Sequence, residues 1–377
     1  MGGVTTEHDA RILLSTWFEA ADPAVVGRLR SRSARDVVSA ILSGHHGLPE
    51  CRGVAARVIG QDPRDAVARL ESIRAAAERI GARYVIPGDR EWPTQLDDLG
   101  DRAPLGLWVA GAGDLRLLAL RSISVVGARS ATAYGEGLAR EIGAHLAEQG
   151  WLTVSGGAFG IDAAAHRGAI VAEGTTACVL AGGVDVPYPR SHADLLARIR
   201  QSGVLVSETP LGGAAMRHRF LSRNRIIAAL SRATVMVEAA LRSGSRTTAR
   251  EAAALRRVVM AFPGPVTSPM SAGCHALIRD RGAHLVTSPH EVLALVTGEL
   301  VDDPSPSTPA LAWREQRALD AVPARRPAPL SSIAKLAGLG TTEAMAALGI
   351  LDALGLAERR GEGWVRRTKG KGDLLAG

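Results

Sequence analysis

Cysteine is scarce: Cys51, Cys178 and Cys274 are the three in 377 residues. They are too few and too scattered for a disulfide framework or a zinc knuckle, and read as small buried hydrophobes of a reducing compartment. Aromatic residues make up 3% of the chain, so each one beside a basic cluster is more informative than usual. Long apolar runs are missing. Stretches such as Val204–Val206 and Ala233–Val237 fall far short of the ~20 residues of a membrane helix. The N-terminus has no basic segment leading into an apolar run and a cleavage site. A cytoplasmic chain without a membrane partner is expected, and no residue pattern calls for a metal or a cofactor. Lysine is almost absent: of 45 basic residues only Lys335, Lys369 and Lys371 are not arginine.

What is present is arginine. The formal charge is +7, with 46% hydrophobic and 22% charged residues, a composition that excludes wholesale disorder. Guanidinium groups suit planar, bidentate recognition of phosphate and stacking on bases, although mutational GC bias produces the same surplus. The length fits two to three domains.

Residues 8 to 80 carry apolar positions at three- and four-residue spacings and predict short helices, punctuated at Pro23, Gly44, Gly47 and Gly60. Residues 81 to 118 read as a transition with short apolar pieces. From 121 onward, unbroken apolar runs alternate with helical segments, from SISVVGA to AHLVTS. Such strands are buried on both faces, which predicts a parallel sheet with helices on both sides. Its strand-to-helix loops then share the rim where open α/β sheets bind ligands. Residues 301–310, rich in Pro, Ser and Asp, read as a linker. Beyond it, a helix, a helix–turn–helix around Gly338–Leu339–Gly340 and two short strands around Gly361–Glu362–Gly363 form a winged-helix pattern with a basic tail.

Four rim loops carry the candidate chemistry. Arg129 follows the first strand. Ser155, Gly156, Gly157, Ala158, Gly160 and Asp162 form a Gly-rich loop opening a helix, suited to backbone contact with phosphate. It departs from the dinucleotide fingerprint, because Ser155 replaces the first glycine and no acid ends the next strand. Asp162 and His166, four apart, read as a helix N-cap and a local hydrogen-bonding pair. Between 214 and 258 there are ten arginines against only Glu238 and Glu251, without the compensating acids of a solvated helix face. Phe220 lies among them as a candidate base-stacking platform. Ser243, Gly244, Ser245 and Thr248 supply further donors.

At these residues the sequence resembles the bacterial DNA-processing protein A family (DprA, also called Smf). The resemblance runs from Ile123 to Val286, through VVGARSATAYG, SGGAFGIDAAAHRGA, YPRSH, LVSETPLG, FLSRNRIIAALS and VEAALRSGSRTTA. It implies an extended Rossmann-like sheet (83–300, core 121–298), preceded by a small helical, SAM-like domain (1–82) and followed by a winged-helix domain (311–377). It further implies a homodimer through the later part of the sheet domain. The function implied is binding of single-stranded DNA, protection of incoming strands, and loading of the RecA recombinase in natural transformation and competence. Carried over by motif, the strand-binding set is Arg129, the 155–162 loop, Arg217, Phe220, Arg223, Asn224, Arg225 and the 243–248 loop. His192 and His275 stand where asparagine is usual.

The favoured mechanism is binding, not catalysis. The alternative is an enzyme: Thr247–Thr248–Ala249–Arg250–Glu251 is similar to the end of a motif in nucleoside-monophosphate phosphoribohydrolases, with Glu251 assisting N-glycosidic cleavage. A duplex-DNA regulator is a third class, but the expected recognition helix, Thr342 to Leu354, carries no arginine.

Overall fold

The computed structural model describes residues 4, 6–20, 22–29, 31–43, 63–299, 311, 313–324 and 326–367. Cys51, Gly44, Gly47, Gly60, the expected linker 301–310, Lys369 and Lys371 lie outside the described residues. The chain divides into two compact units, 1–300 and 301–377.

The first unit opens with helices α1 (Glu7–Trp17), α2 (Pro23–Leu29), α3 (Ala34–Leu42) and α4 (Pro63–Arg79), then β1 (Ala82–Val85), β2 (Leu107–Ala110) and α5 (Leu115–Ala119). Next come β3 (Ser122–Val126), α6 (Ala133–Glu148), β4 (Leu152–Ser155), α7 (Ile161–Val171), β5 (Thr176–Val179), α8 (Ala193–Ser202) and β6 (Val204–Ser207). It ends with α9 (Arg217–Leu230), β7 (Ala233–Met236), α10 (Ser245–Ala254), β8 (Val258–Ala261), α11 (Ala272–Arg281), β9 (His284–Leu285) and α12 (Pro289–Thr297).

The strands form one sheet in the order β1-β2-β6-β5-β4-β3-β7-β8-β9. From β6 to β9 every pairing is parallel. The transition at 81–118 is part of this sheet: β2 pairs antiparallel with β6, and β1 antiparallel with β2. Four-residue strands such as Leu107–Ala110 give no strand direction, so the pattern alone could not assign them.

Alternation along each strand feeds two faces. Ala177 and Val179 of β5 and Val204 and Val206 of β6 join a core with Ile226 and Leu230 of α9 and Ala249 of α10. On the opposite face Ile123 and Val125 of β3 pack with Ile142 and Leu146 of α6 and Ile161 of α7. Farther along that face Cys178 and Leu205 share a core with Leu13, Leu14, Ile41 and Leu70 of the N-terminal helices. Those helices therefore cover the β2-β6-β5 end of the sheet. Cys178 and Cys274 are both buried free thiols.

Chain order places the ligand crevice. From β3 the chain winds outward through β4, β5 and β6, then returns to β7 on the other side of β3 and continues to β9. The loops leaving β3 and β7 diverge at this reversal, which opens a gap at the strands' carboxyl ends.

The second unit contains α13 (Trp313–Ala321), α14 (Leu330–Ala337), α15 (Thr341–Ala353), β10 (Ala357–Arg360) and β11 (Gly363–Arg366). The two strands pair antiparallel, and Ala318, Ile333, Ala344, Leu348 and Leu351 form a separate core. Among the described residues no helix is long and apolar enough to cross a membrane.

Candidate functional site

A cleft of about 760 Å³ occupies the reversal point. The loop after β3 gives Arg129, the loop into α7 gives Ala158, and the first turn of α7 gives Asp162. Helix α9 gives Arg217, Phe220, Arg223 and Asn224, and the loop into α10 gives Ser243, Gly244, Ser245 and Thr248. These residues, 119 positions apart at the extremes, meet because β3 and β7 are neighbours. Ser155, Gly156, Gly157, Gly160 and Arg225 do not line this cleft.

Backbone bonds hold the rim. Ala128 N–H donates to the Glu238 carbonyl at 2.7 Å, and Ile161 N–H donates to the Ala128 carbonyl at 3.2 Å. Gly160 has φ +71°, and a Cβ there would fall 2.3 Å from the Ala128 carbonyl oxygen; only glycine lets α7 start so close to the β3 loop. The Glu238 carboxylate accepts from Thr132 N–H at 2.9 Å and from its hydroxyl at 2.6 Å. Arg129 thus stands exposed on a fixed loop, its guanidinium 5.0 Å over the Phe220 ring.

Helix α9 begins Arg217–His218–Arg219, with no acid in its first turn and no side-chain cap. Cations at the positive end of a helix dipole are unfavourable by ~0.3–1 kcal/mol each. An anion bound there reverses that sign. Helix α10 also lacks a first-turn acid and a side-chain cap, but its first N–H groups are taken within the loop. Ser245 N–H donates to Ser243 Oγ at 3.3 Å, and Arg246 and Thr247 N–H donate to the Ser243 and Gly244 carbonyls at 3.3 and 3.0 Å.

Three expectations need correction. First, the Gly-rich loop is not an open cradle of donors. Asp162 Oδ2 already accepts from Gly156 N–H at 3.2 Å and Ala158 N–H at 3.4 Å, and Ser155 donates its hydroxyl to the Val125 carbonyl at 2.6 Å. Second, Asp162 and His166 do not pair. Gly160 is the N-cap of α7, and His166 Nδ1 meets Thr176 Oγ1 at 2.7 Å. Third, the arginine run is partly compensated, by acids that lie outside it in the sequence. Arg225 is bidentate to Glu208 at 2.7 and 2.7 Å, their side chains 4% and 7% exposed. Arg219 pairs with Glu19 at 2.7 Å and Arg257 with Asp98 at 2.6 Å. Arg225 therefore serves the fold, while Arg129 and Arg217 keep their charge toward solvent.

The cleft floor is buried and polar. Arg223 donates to the Val179 carbonyl at 2.6 Å. Burial pushes its guanidinium below its usual pKa range, against the pull of Asp162. Burial likewise raises the Asp162 carboxyl, opposed by Arg223 and by the two loop N–H groups. Asp162 is the one carboxylate among the lining residues, and it faces its own loop. Asn224 Nδ2 donates to the Gly244 carbonyl at 3.3 Å, tying α9 to the next loop. His192 Nδ1 lies 3.1 Å from the Gly157 carbonyl and His275 Nε2 3.1 Å from the Gly264 carbonyl, so both histidines brace loops.

Two rim residues were not singled out by the sequence reading of stacking side chains. Phe159 is 48% exposed and Tyr188 46%; Tyr188 lies 5.3 Å from Phe220, ring centre to ring centre. The rarity of aromatics in this chain was the available signal. Glu251, the catalytic candidate of the enzyme reading, is paired with Arg102 at 2.8 Å and does not line the cleft.

The sequence profile of the family described as DNA recombination-mediator protein A matches residues 83–297. A Mycobacterium tuberculosis chain named as a DNA processing protein DprA is 46% identical over 329 residues, covering 82% of this chain and 84% of that one. The solved DNA processing protein A of Streptococcus pneumoniae superposes with a TM-score of 0.55 at 33% identity, over 65% of this chain and 85% of that one. A Helicobacter pylori structure, described by its single-stranded DNA binding mode, gives a TM-score of 0.51 at 25% identity, over 57% and 96% of the two chains.

Proposed function

Because the chain belongs to the DNA recombination-mediator protein A family, we propose that it is a single-stranded DNA-binding protein of DNA processing and recombination. The strand lies in the cleft at the β3/β7 reversal. One observation carries this reading. The cleft presents exposed arginines, Arg129 and Arg217, and hydroxyls from Ser243, Ser245 and Thr248, while its single lining carboxylate is turned back onto its own loop. Arginines neutralise phosphates, helix starts and hydroxyls add donors, and aromatic rings stack on unpaired bases. Glu251, the acid of the enzyme reading, is paired with Arg102 and does not line the cleft, which favours binding over that enzyme.

In this reading the protein protects incoming strands and hands them to RecA in the cytoplasm. It acts as a homodimer formed through the later part of the sheet, where β9 is the edge strand and Leu285 is exposed.

A titration of single-stranded against duplex DNA at two salt concentrations tests the core claim. Single strands bind tighter, and affinity falls steeply with salt. Arg217→Ala lowers the slope of log affinity against log salt by ~0.7, the value for one phosphate contact on a single strand. Equal affinity for both forms, or a slope that Arg217→Ala leaves unchanged, overturns the assignment.

A further inference from the structure

Of the 13 aromatic residues in the chain, four are exposed among the described residues: Tyr134, Phe159, Tyr188 and Trp313. Two of these four flank one slot of about 40 Å³, bounded also by Arg129, Pro189 and Phe220. The slot shares Arg129, Ala158, Tyr188 and Phe220 with the main cleft, so the two are continuous.

Phe220 is less available than its position in the sequence suggests. It is half-buried, Arg129 lies 5.0 Å over its ring, and Tyr188 tilts against it at 56°. Phe159 is the reverse case. Its ring meets His192 edge-on at 4.6 Å, and buried His192 is held by the Gly157 carbonyl. The loop therefore fixes Phe159 in place without covering it. Burying a phenylalanine side chain stabilises a fold, and here the fold forgoes about half of that area. A ring held out and braced on one side is pre-organised, so a ligand stacking on it loses little additional side-chain freedom.

We propose that Phe159 and Tyr188 form a second base-stacking subsite beside Phe220, which takes one unpaired nucleobase as the strand leaves the main cleft past Arg129. The slot has room for about one water molecule, so it grips the face of a base and leaves its hydrogen-bonding edge in solvent. Such contact adds affinity without sequence preference. Phe220 also supports this subsite, since Arg129 and Tyr188 both rest against its ring. This inference rests on the single-strand reading above.

The test compares a labelled oligothymidylate with an abasic strand of equal length, which keeps the phosphates and removes the bases. Wild type, Phe159→Ala and Phe159→Trp are titrated by fluorescence anisotropy, with thermal melts to confirm folding. Phe159→Ala weakens oligothymidylate binding roughly tenfold, within the range of a lost base stack, and leaves the abasic strand unchanged. Phe159→Trp binds oligothymidylate at least as tightly as wild type. Equal losses on both strands assign the effect to loop geometry and overturn the subsite, as does no loss on either. If the wild-type protein fails to bind oligothymidylate at all, the single-strand reading itself falls, and this inference with it.

Discussion

The Arg223 guanidinium occupies the space that a side chain at Gly156 would need. A Cβ built on Gly156 falls 1.8 Å from Arg223 Nη1 and 2.5 Å from Cζ. The glycine in this loop thus makes room for a buried cation from α9, 67 residues later in the chain. That cation sits under the loop, donating to the Val179 carbonyl at the end of β5.

Gly156→Ala is expected to dislodge Arg223 and destabilise the protein by ~1.5–3 kcal/mol, the range for a lost hydrogen bond to a charged group. In an Arg223→Ala background the same substitution has space and adds little. A double-mutant cycle by denaturant unfolding checks this. Strictly additive effects contradict the packing relationship.

The Arg225–Glu208 pair is almost fully buried, and Arg225 Nε also donates to the Arg102 carbonyl at 2.7 Å. Removing one partner of such a pair leaves an uncompensated buried charge. Glu208→Ala should cost ~3–5 kcal/mol of stability. Glu19→Ala, which removes the half-exposed partner of Arg219, should cost under ~1 kcal/mol. Strand affinity measured well below the melting temperature should stay within about twofold of wild type for Glu208→Ala. A larger loss of affinity would return Arg225 to the strand-binding set.

His166 gives the protein a pH dependence. It is fully buried, and its ring pKa is pushed down to about 3, by burial first and then by Arg223, His192 and Arg167. Thr176 gives its hydroxyl proton to the Thr153 carbonyl at 2.8 Å, so His166 Nδ1–H is the donor toward Thr176. Its Nε2 is a buried acceptor without a partner among the described residues. Above pH ~6.5 the ring is neutral both folded and unfolded, and it exerts no penalty. Below that, the unfolded chain takes up a proton that the folded state refuses. Stability therefore drops by about 1.4 kcal/mol per pH unit from this group, from pH ~6.5 toward 3. His166→Gln should flatten the stability profile in that window. An unchanged slope between pH 6 and 4 in urea unfolding would exclude His166 as its source.

Much of the fold was legible in the sequence because periodicity is local. Short β-rich runs without charged residues, such as Ser122–Val126 and Ala233–Met236, are what parallel strands buried at every position require, and the Gly-rich turns between strand and helix follow from backbone geometry alone. The rim position of Arg129, Arg217, Phe220 and the 243–248 loop was legible for the same reason, since each directly follows a strand or begins a helix. Strand direction at 81–118 was not, because antiparallel pairing of β2 depends on β6, almost a hundred residues later.

Charge is where local reading stopped. Ten arginines with two acids nearby in the chain look uncompensated, yet Arg219 finds Glu19 across 200 residues and Arg257 finds Asp98 across 159. Asp162, which looked like a helix cap, closes the loop ahead of it instead. Sequence alone determined the alternation of strands and helices and the supply of guanidinium groups at the sheet's rim. Only the tertiary structure decided which of those groups remain free, because hydrogen-bond periodicity acts over a few residues, whereas neutralisation of a charge depends on distance in space.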